Sequence, residues 1–131
     1  MVRATVLVFS LTVICCQTAE KSISQSDLPG LYVVHLNSVI DSLSLAADGS
    51  FNHSVWNDGT QAFAEKGTWR MSQYPDGELA VEFTGISPVV GRPAPFTSRP
   101  GLWLSRATRD RAGAVTLLLN RDTKLFYVRA D

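Results

Sequence analysis

The chain has 131 residues, enough for one domain and too few for two ordinary ones, with 12 basic residues, 12 acidic residues and an apolar fraction of 45%. A formal net charge of zero gives no ground for nucleic-acid binding. The apolar fraction belongs to a folded domain rather than to a disordered tail.

Met1-Val2-Arg3 makes a short positive start, and residues 4–14 form an apolar run broken only by Thr5, Ser10 and Thr12. Cys15 to Ala19 follow, and the chain turns polar at Glu20-Lys21. This is the pattern of a secretory signal peptide over residues 1–19. The other reading is a retained anchor, but eleven helical residues rise only ~16 Å, and a bilayer core needs ~20 residues. A cut after Ala19 removes both cysteines, leaving no disulfide, thiolate nucleophile or Cys-bound metal in the mature chain. A competing cut is open: Val13-Ile14-Cys15-Cys16 resembles a bacterial lipobox, which would make Cys16 a lipidated N-terminus. Lipoboxes usually carry Gly, Ala or Ser before the modified cysteine, and here Cys15 stands there.

Residues 20–29 are polar and close at Pro29-Gly30, so they read as a tether. Residues 30–131 read as a single β domain, with short apolar runs between turn signals and no 3.6-residue period. The expected strands are 30–36, 39–46, 50–56, 62–71, 78–83, 102–106, 114–120 and 125–129. Asp48-Gly49, Asp58-Gly59 and Pro75-Asp76-Gly77 punctuate them. Residues 84–100 hold Pro88, Pro93, Pro95 and Pro100 and leave no room for a regular element. The pattern predicts an all-β fold, an antiparallel meander of about eight strands, barrel-like or a sandwich. Within it Trp69 shares an inward face with Gly67 and Met71.

Little here suggests catalysis. The two histidines are His35 and His53. With Asp41 they could make a metal site in principle, but His53 alternates with Phe51 and Val55, as a satisfied core or rim residue does. No Gly-x-Ser-x-Gly turn and no phosphate-binding glycine loop occurs. Glu78 and Glu82 read as a solvated strand face. No cofactor, no metal and no enzyme activity is expected.

Trp56 and Trp103 fall on the opposite side of their strands from neighbouring aliphatics. Each reads either as a binding surface or as cover for a sheet edge. Charge is split along the chain: residues 20–91 carry three basic against nine acidic residues, and residues 92–131 eight against three. Arg92, Arg99, Arg106, Arg109 and Arg111 crowd the proline-rich segment and the strand after it. One reading is an anion-facing patch; the other is a basic half facing an acidic half across the fold. The candidate binding residues are therefore Trp103, Arg99, Arg106, Arg109 and Trp56.

Asp41-Ser-Leu-Ser-Leu45, then Asp48-Gly-Ser-Phe51, then Gly67-Thr-Trp69 resembles a pattern of small, uncharacterised proteobacterial envelope proteins and lipoproteins. It is distantly similar to the copper-homeostasis and surface-sensing outer-membrane lipoproteins. Leu117 to Asp122 with Phe126-Tyr127 is similar to the close of the uncharacterised group. The likeness spans most of residues 30–129. The Cys-x-x-Cys motif of the copper-linked relatives is absent from the mature part, so the resemblance carries no metal sensing with it. The uncharacterised group has no established activity to lend, so the expectation rests on the residues themselves: a non-catalytic exported domain, periplasmic, outer-membrane tethered or secreted, touching the membrane only through a lipid anchor. Its ligand would be an envelope protein, a glycan or a small apolar molecule. The alternatives are a structural part of an envelope complex and an enzyme with a polar site of unfamiliar type.

Overall fold

Turn chemistry sets the strand order. In a computed structural model, which describes residues 21–120, 122 and 124–131 (for Asn120 the backbone only), β1 (Gly30–Leu36) turns at Asn37-Ser38 into β2 (Val39–Leu45). β3 (Ser50–Asn57) follows the Asp48-Gly49 turn, where Asp48 Oδ1 accepts the Ser50 N–H at 2.8 Å. Asp58 and Gly59 both take positive φ, 49° and 76°. That is the mirror-image two-residue turn matching the twist of a hairpin, and it joins β3 to β4 (Thr60–Gln73). β5 (Leu79–Ile86), β6 (Gly101–Arg109), β7 (Val115–Asn120) and β8 (Leu125–Arg129) complete the series. Every consecutive pair is antiparallel, and β8 pairs with β1 through Tyr32–Arg129 and Val33–Val128. The result is a closed eight-stranded meander barrel, not a sandwich. The expected leader 1–19 and Cys16 lie outside the described residues.

Period-two alternation aims one face of each strand inward. Tyr32, Leu43, Phe51, Val81, Phe83, Leu117 and Tyr127 are fully or almost fully buried. Phe51 meets Phe83 edge-on at 5.8 Å between centroids, Phe83 stacks on Trp103 at 5.1 Å, and Trp103 lies 6.1 Å from Tyr127. This aromatic column fills the interior. Each buried ring contributes roughly 1.5–3 kcal/mol, and each well-placed pair about 0.5–1.5 kcal/mol beyond its area.

The Asp-Gly-x-Phe and Gly-x-Trp segments form one packed unit. The Phe51 ring packs against Gly67, where a Cβ would come within 2.6 Å of the ring and 2.2 Å of the Thr84 carbonyl oxygen. Only glycine fits there. Trp69, as expected, is buried; its indole N–H donates to Ala46 O at 3.0 Å and its backbone N–H to Gly49 O at 2.7 Å.

Two sequence expectations change. Trp103 points inward, and its neighbours Leu102 and Leu104 are exposed. The aromatic column has room for an indole beside Phe83, and inward parity then gives Ser105 and Ala107 to the interior. The polar run before β1 is not a free tether. Gln25–Asp27 form a 3-10 turn, and Leu28 is fully buried in the core with its carbonyl accepting the Tyr32 hydroxyl at 2.7 Å. Ile23, partly buried, packs against the same core, so two apolar residues dock the segment. Arg129 clamps it by donating to Asp27 O at 2.8 Å and Pro29 O at 2.6 Å.

Leu28 therefore plugs the end of the barrel where β1 begins. The opposite end carries the β1–β2 and β3–β4 turns and is covered by residues 87–100.

Candidate functional site

Three inward positions on neighbouring strands carry charge: Asp41 on β2, His53 on β3 and Glu65 on β4. Their side chains are 0%, 0% and 7% exposed. His53 Nε2 lies 2.8 Å from Asp41 Oδ1 and Nδ1 lies 2.7 Å from Glu65 Oε1. Both ring nitrogens face carboxylate oxygens, and only the doubly protonated ring can donate to both. The cluster is an imidazolium between two carboxylates.

Hydroxyls complete it. Tyr127 on β8, two strands round the barrel from β2, donates to Asp41 Oδ1 at 2.5 Å. Glu65 Oε1 accepts the Ser87 N–H at 2.5 Å, while Oε2 accepts the hydroxyls of Ser87 at 2.8 Å and Ser98 at 2.5 Å. The Arg99 N–H donates to Ser87 Oγ at 2.6 Å. Asp41 Oδ2 is buried with no hydrogen-bond partner, so the imidazolium is the main compensation for that carboxylate's lost water.

Burial works against charge on His53, but Asp41 and Glu65 outweigh it and raise its pKa above 6.5. Burial likewise pushes Glu65 up, yet hydrogen bonds from Ser98, His53 and Ser87 prevail and hold it below 4.5. Tyr127 is pushed well above 10.0, by burial first and by the Asp41 charge second. It stays a neutral donor across the physiological range.

His35, by contrast, lies on the outer wall and takes no part. Among the described residues no group of three or more His, Cys, Asp or Glu side chains is arranged to hold a metal ion. The Asp41–His53–Glu65 line places an already bonded ring between its acids.

The residues singled out from sequence do not converge. Trp103 is in the aromatic column. Trp56 is exposed on β3, opposite Ile40. Arg99 is exposed in the covering loop. Arg106 pairs with Asp76 at 3.2 Å and with Glu78, and lies over the Tyr74 ring. Arg109 sits at the far end of β6, where it binds Asp27 at 3.0 Å and the carbonyls of Lys21, Ser22 and Gly113. Arg106 and Arg109 thus tie basic and acidic parts of the fold together, and the five arginines are spread along the barrel rather than gathered on one face.

Sequence reasoning set Asp41 beside His53 and His35 as a metal site possible in principle, and missed Glu65; the structure keeps Asp41 with His53 and puts Glu65, not His35, on the other ring nitrogen. The available signal was parity: each sits between apolar residues of the inward face, Val39 and Leu43, Phe51 and Val55, Phe63 and Gly67. A charge at such a position is costly unless partnered, and three on consecutive strands imply mutual partners.

The outer wall is equally uneven. Outward positions of β1, β2 and β3 are Leu31, Val33, His35, Ile40, Ser42, Ser44, Asn52, Ser54 and Trp56, with no Asp, Glu, Lys or Arg. Val33 lies opposite Val128 of β8, and Ile40 opposite Trp56. The charged outward residues Lys66, Arg70 and Glu82 occupy β4 and β5 instead.

No protein-family model, curated protein or solved structure matches this chain.

Proposed function

We propose that this is a non-catalytic, exported envelope domain that works by docking a protein partner on the outer wall formed by β8, β1, β2 and β3. The observation that carries the reading is the composition of that wall. Leu31, Ile40, Trp56 and Val128 are all exposed there without a charged neighbour on β1–β3. Aromatic and aliphatic residues with charges depleted are the make-up of an interface core. The aromatic column packed into the main core favours such a face over a deep calyx running through the barrel. Both ring nitrogens of His53 are committed to carboxylates, which favours a structural over a catalytic role for the cluster. Export rests on the residue 1–19 pattern. The likeness of the 41–45, 48–51 and 67–69 segments to envelope lipoproteins supports an envelope location.

Site-specific photo-crosslinking tests the face in cells. A benzophenone side chain at position 56 is expected to trap a discrete protein adduct, while one at position 70, on the charged wall, gives none. Equal labelling at both positions, or none at either, overturns the reading. Intact mass of the purified protein reports export separately, as a chain beginning at Glu20 or at acylated Cys16.

A further inference from the structure

At the loop end the interior is built in tiers that repeat on three adjoining strands. From that end inward, β2 presents Val39, Asp41 and Leu43; β3 presents Val55, His53 and Phe51; β4 presents Phe63, Glu65 and Gly67. The charged tier divides the main core from a small apolar tier of Val39, Val55 and Val89, against which Leu36, Phe63 and Phe96 pack. Val89 and Phe96 belong to residues 87–100, so that segment is the roof of the tier.

The roof is attached at its stems. Ser87 opens the segment and Ser98 nears its close, and both bond to the Glu65 carboxylate. Prolines 88, 93, 95 and 100 keep it out of strand pairing, and β5 leaves β4 at Thr84, opposite Thr68. The roof is held by apolar contact and by one carboxylate, whose position depends on His53.

We propose that residues 87–100 are a lid over an apolar site at the mouth of the barrel, shut while His53 is an imidazolium between Asp41 and Glu65, and released by loss of that proton to admit a small uncharged apolar molecule. A neutral imidazole donates through one nitrogen only, so one carboxylate then faces a lone pair, with a second negative charge nearby. Asp41 is fully buried and held by Tyr127. Glu65, one tier in from the loop end and 7% exposed against 0% for Asp41, is the carboxylate nearer to water, and in turning toward water it drops Ser87 and Ser98 together. The titratable groups facing His53 are Asp41 from β2, Glu65 from β4 and, through Asp41, Tyr127 from β8. The lid contributes neutral hydroxyls and β4 the Phe63 ring, 5.6 Å from His53 between centroids. An occupant must replace the Val89 and Phe96 side chains against Leu36, Val39, Val55 and Phe63. Those walls offer no hydrogen bond, which excludes a charged ligand. None of this involves the outer-wall residues of the docking face.

Hydrogen exchange on the full-length mature protein reads the lid directly. Protection of the 87–100 peptide, corrected for the intrinsic pH dependence of exchange, is expected to fall as pH rises above the ordinary histidine range. One proton released on opening makes that fall up to tenfold per pH unit, levelling off once the closed-state imidazolium itself titrates. Peptides from β2 and β3 keep their protection throughout. Uptake of the uncharged dye N-phenyl-1-naphthylamine rises over the same interval. The Ser87→Ala/Ser98→Ala double variant spares the ion pairs and the Ser87 N–H bond to Glu65 but removes both hydroxyl donors; it is expected to lower lid protection and raise dye uptake at all pH values, while the His53 ring resonances still titrate. Lid protection that is flat between pH 5 and pH 9, loss of lid and barrel protection together, or dye uptake indifferent to the double substitution each overturns the proposal.

Discussion

Replacing Trp69 with alanine removes the largest inward side chain of β4 from a position 4% exposed. Truncating a core aromatic costs about 3–5 kcal/mol, as lost transfer energy plus the cavity left behind. Phe83, paired directly opposite, loses its neighbour. The Ala46 carbonyl loses its indole donor, but Ala46 is only half-buried, so water can replace that bond and the added loss stays below about 1 kcal/mol. The expected total is about 4 kcal/mol. At a urea m-value of about 1.5 kcal/mol/M this moves the midpoint by roughly 2–3 M, with m unchanged. Trp69→Phe keeps an apolar ring and gives up the N–H, so it should cost about 1–2 kcal/mol. Trp56→Ala is the control: an exposed residue on the outer wall should cost under about 1 kcal/mol. Equilibrium urea unfolding followed by far-UV circular dichroism measures all three. A loss below about 1 kcal/mol for Trp69→Ala, or equal losses for Trp69 and Trp56, would refute the register on which the interior is built.

Gly67→Ala should destabilise by more than about 2 kcal/mol in the same assay, because its Cβ meets backbone at Thr84 as well as the Phe51 ring; pairing it with Phe51→Leu should recover part of the loss, and no recovery would show that Phe51 is not the obstacle. Global stability should be highest between about pH 4.5 and 6.5: the His53 contribution, with its pKa raised in the fold, is complete below 6.5 and lost as pH rises, whereas that of Glu65, with its pKa lowered, is complete above 4.5 and lost as pH falls. A urea midpoint higher at pH 8.5 than at pH 6 contradicts the imidazolium assignment.

All eight strands were legible because alternation and Asp-Gly turns are local signals. The ends were less so. The 62–71 strand runs from Thr60 to Gln73 and the 78–83 strand on to Ile86, since barrel neighbours extend pairing past the last apolar residue. Closure itself was undecided, because barrel and sandwich share the same strand pattern and differ only in whether β8 reaches β1. Trp103 was placed on the wrong face because Leu-Trp-Leu offers two aliphatics against one ring. What settles its direction is the space beside Phe83 and Tyr127, a property of residues 20 or more positions away. Leu28 escaped notice for a similar reason: nothing local says that a leucine between Asp27 and Pro29 will plug a barrel. The charged cluster lay between these cases. Asp41 and His53 could be set side by side, but with His35 as the third member, because the partnership with Glu65 exists only across strand pairs.

That partnership also bears on how this sequence chooses one register. Alternation rejects a slip of one residue, which would turn every inward side chain outward. It does not reject a slip of two, which keeps all faces and merely shifts them along the barrel. Moving β4 by two against β3, in either direction, would pull Glu65 away from the His53 it faces and set the Phe51 ring against a residue that has a Cβ, whereas moving β3 by two against β2 separates His53 from Asp41 only in the direction that sets His53 against Leu45. Slips of that kind strand a charge in the interior, at a penalty of several kcal/mol per ion, where a purely apolar tier would lose only some packing. A barrel closed by two ladder pairs between β1 and β8 gets little help in this from its seam. The buried ions, weak as a source of net stability, act against the errors that hydrophobic patterning cannot detect.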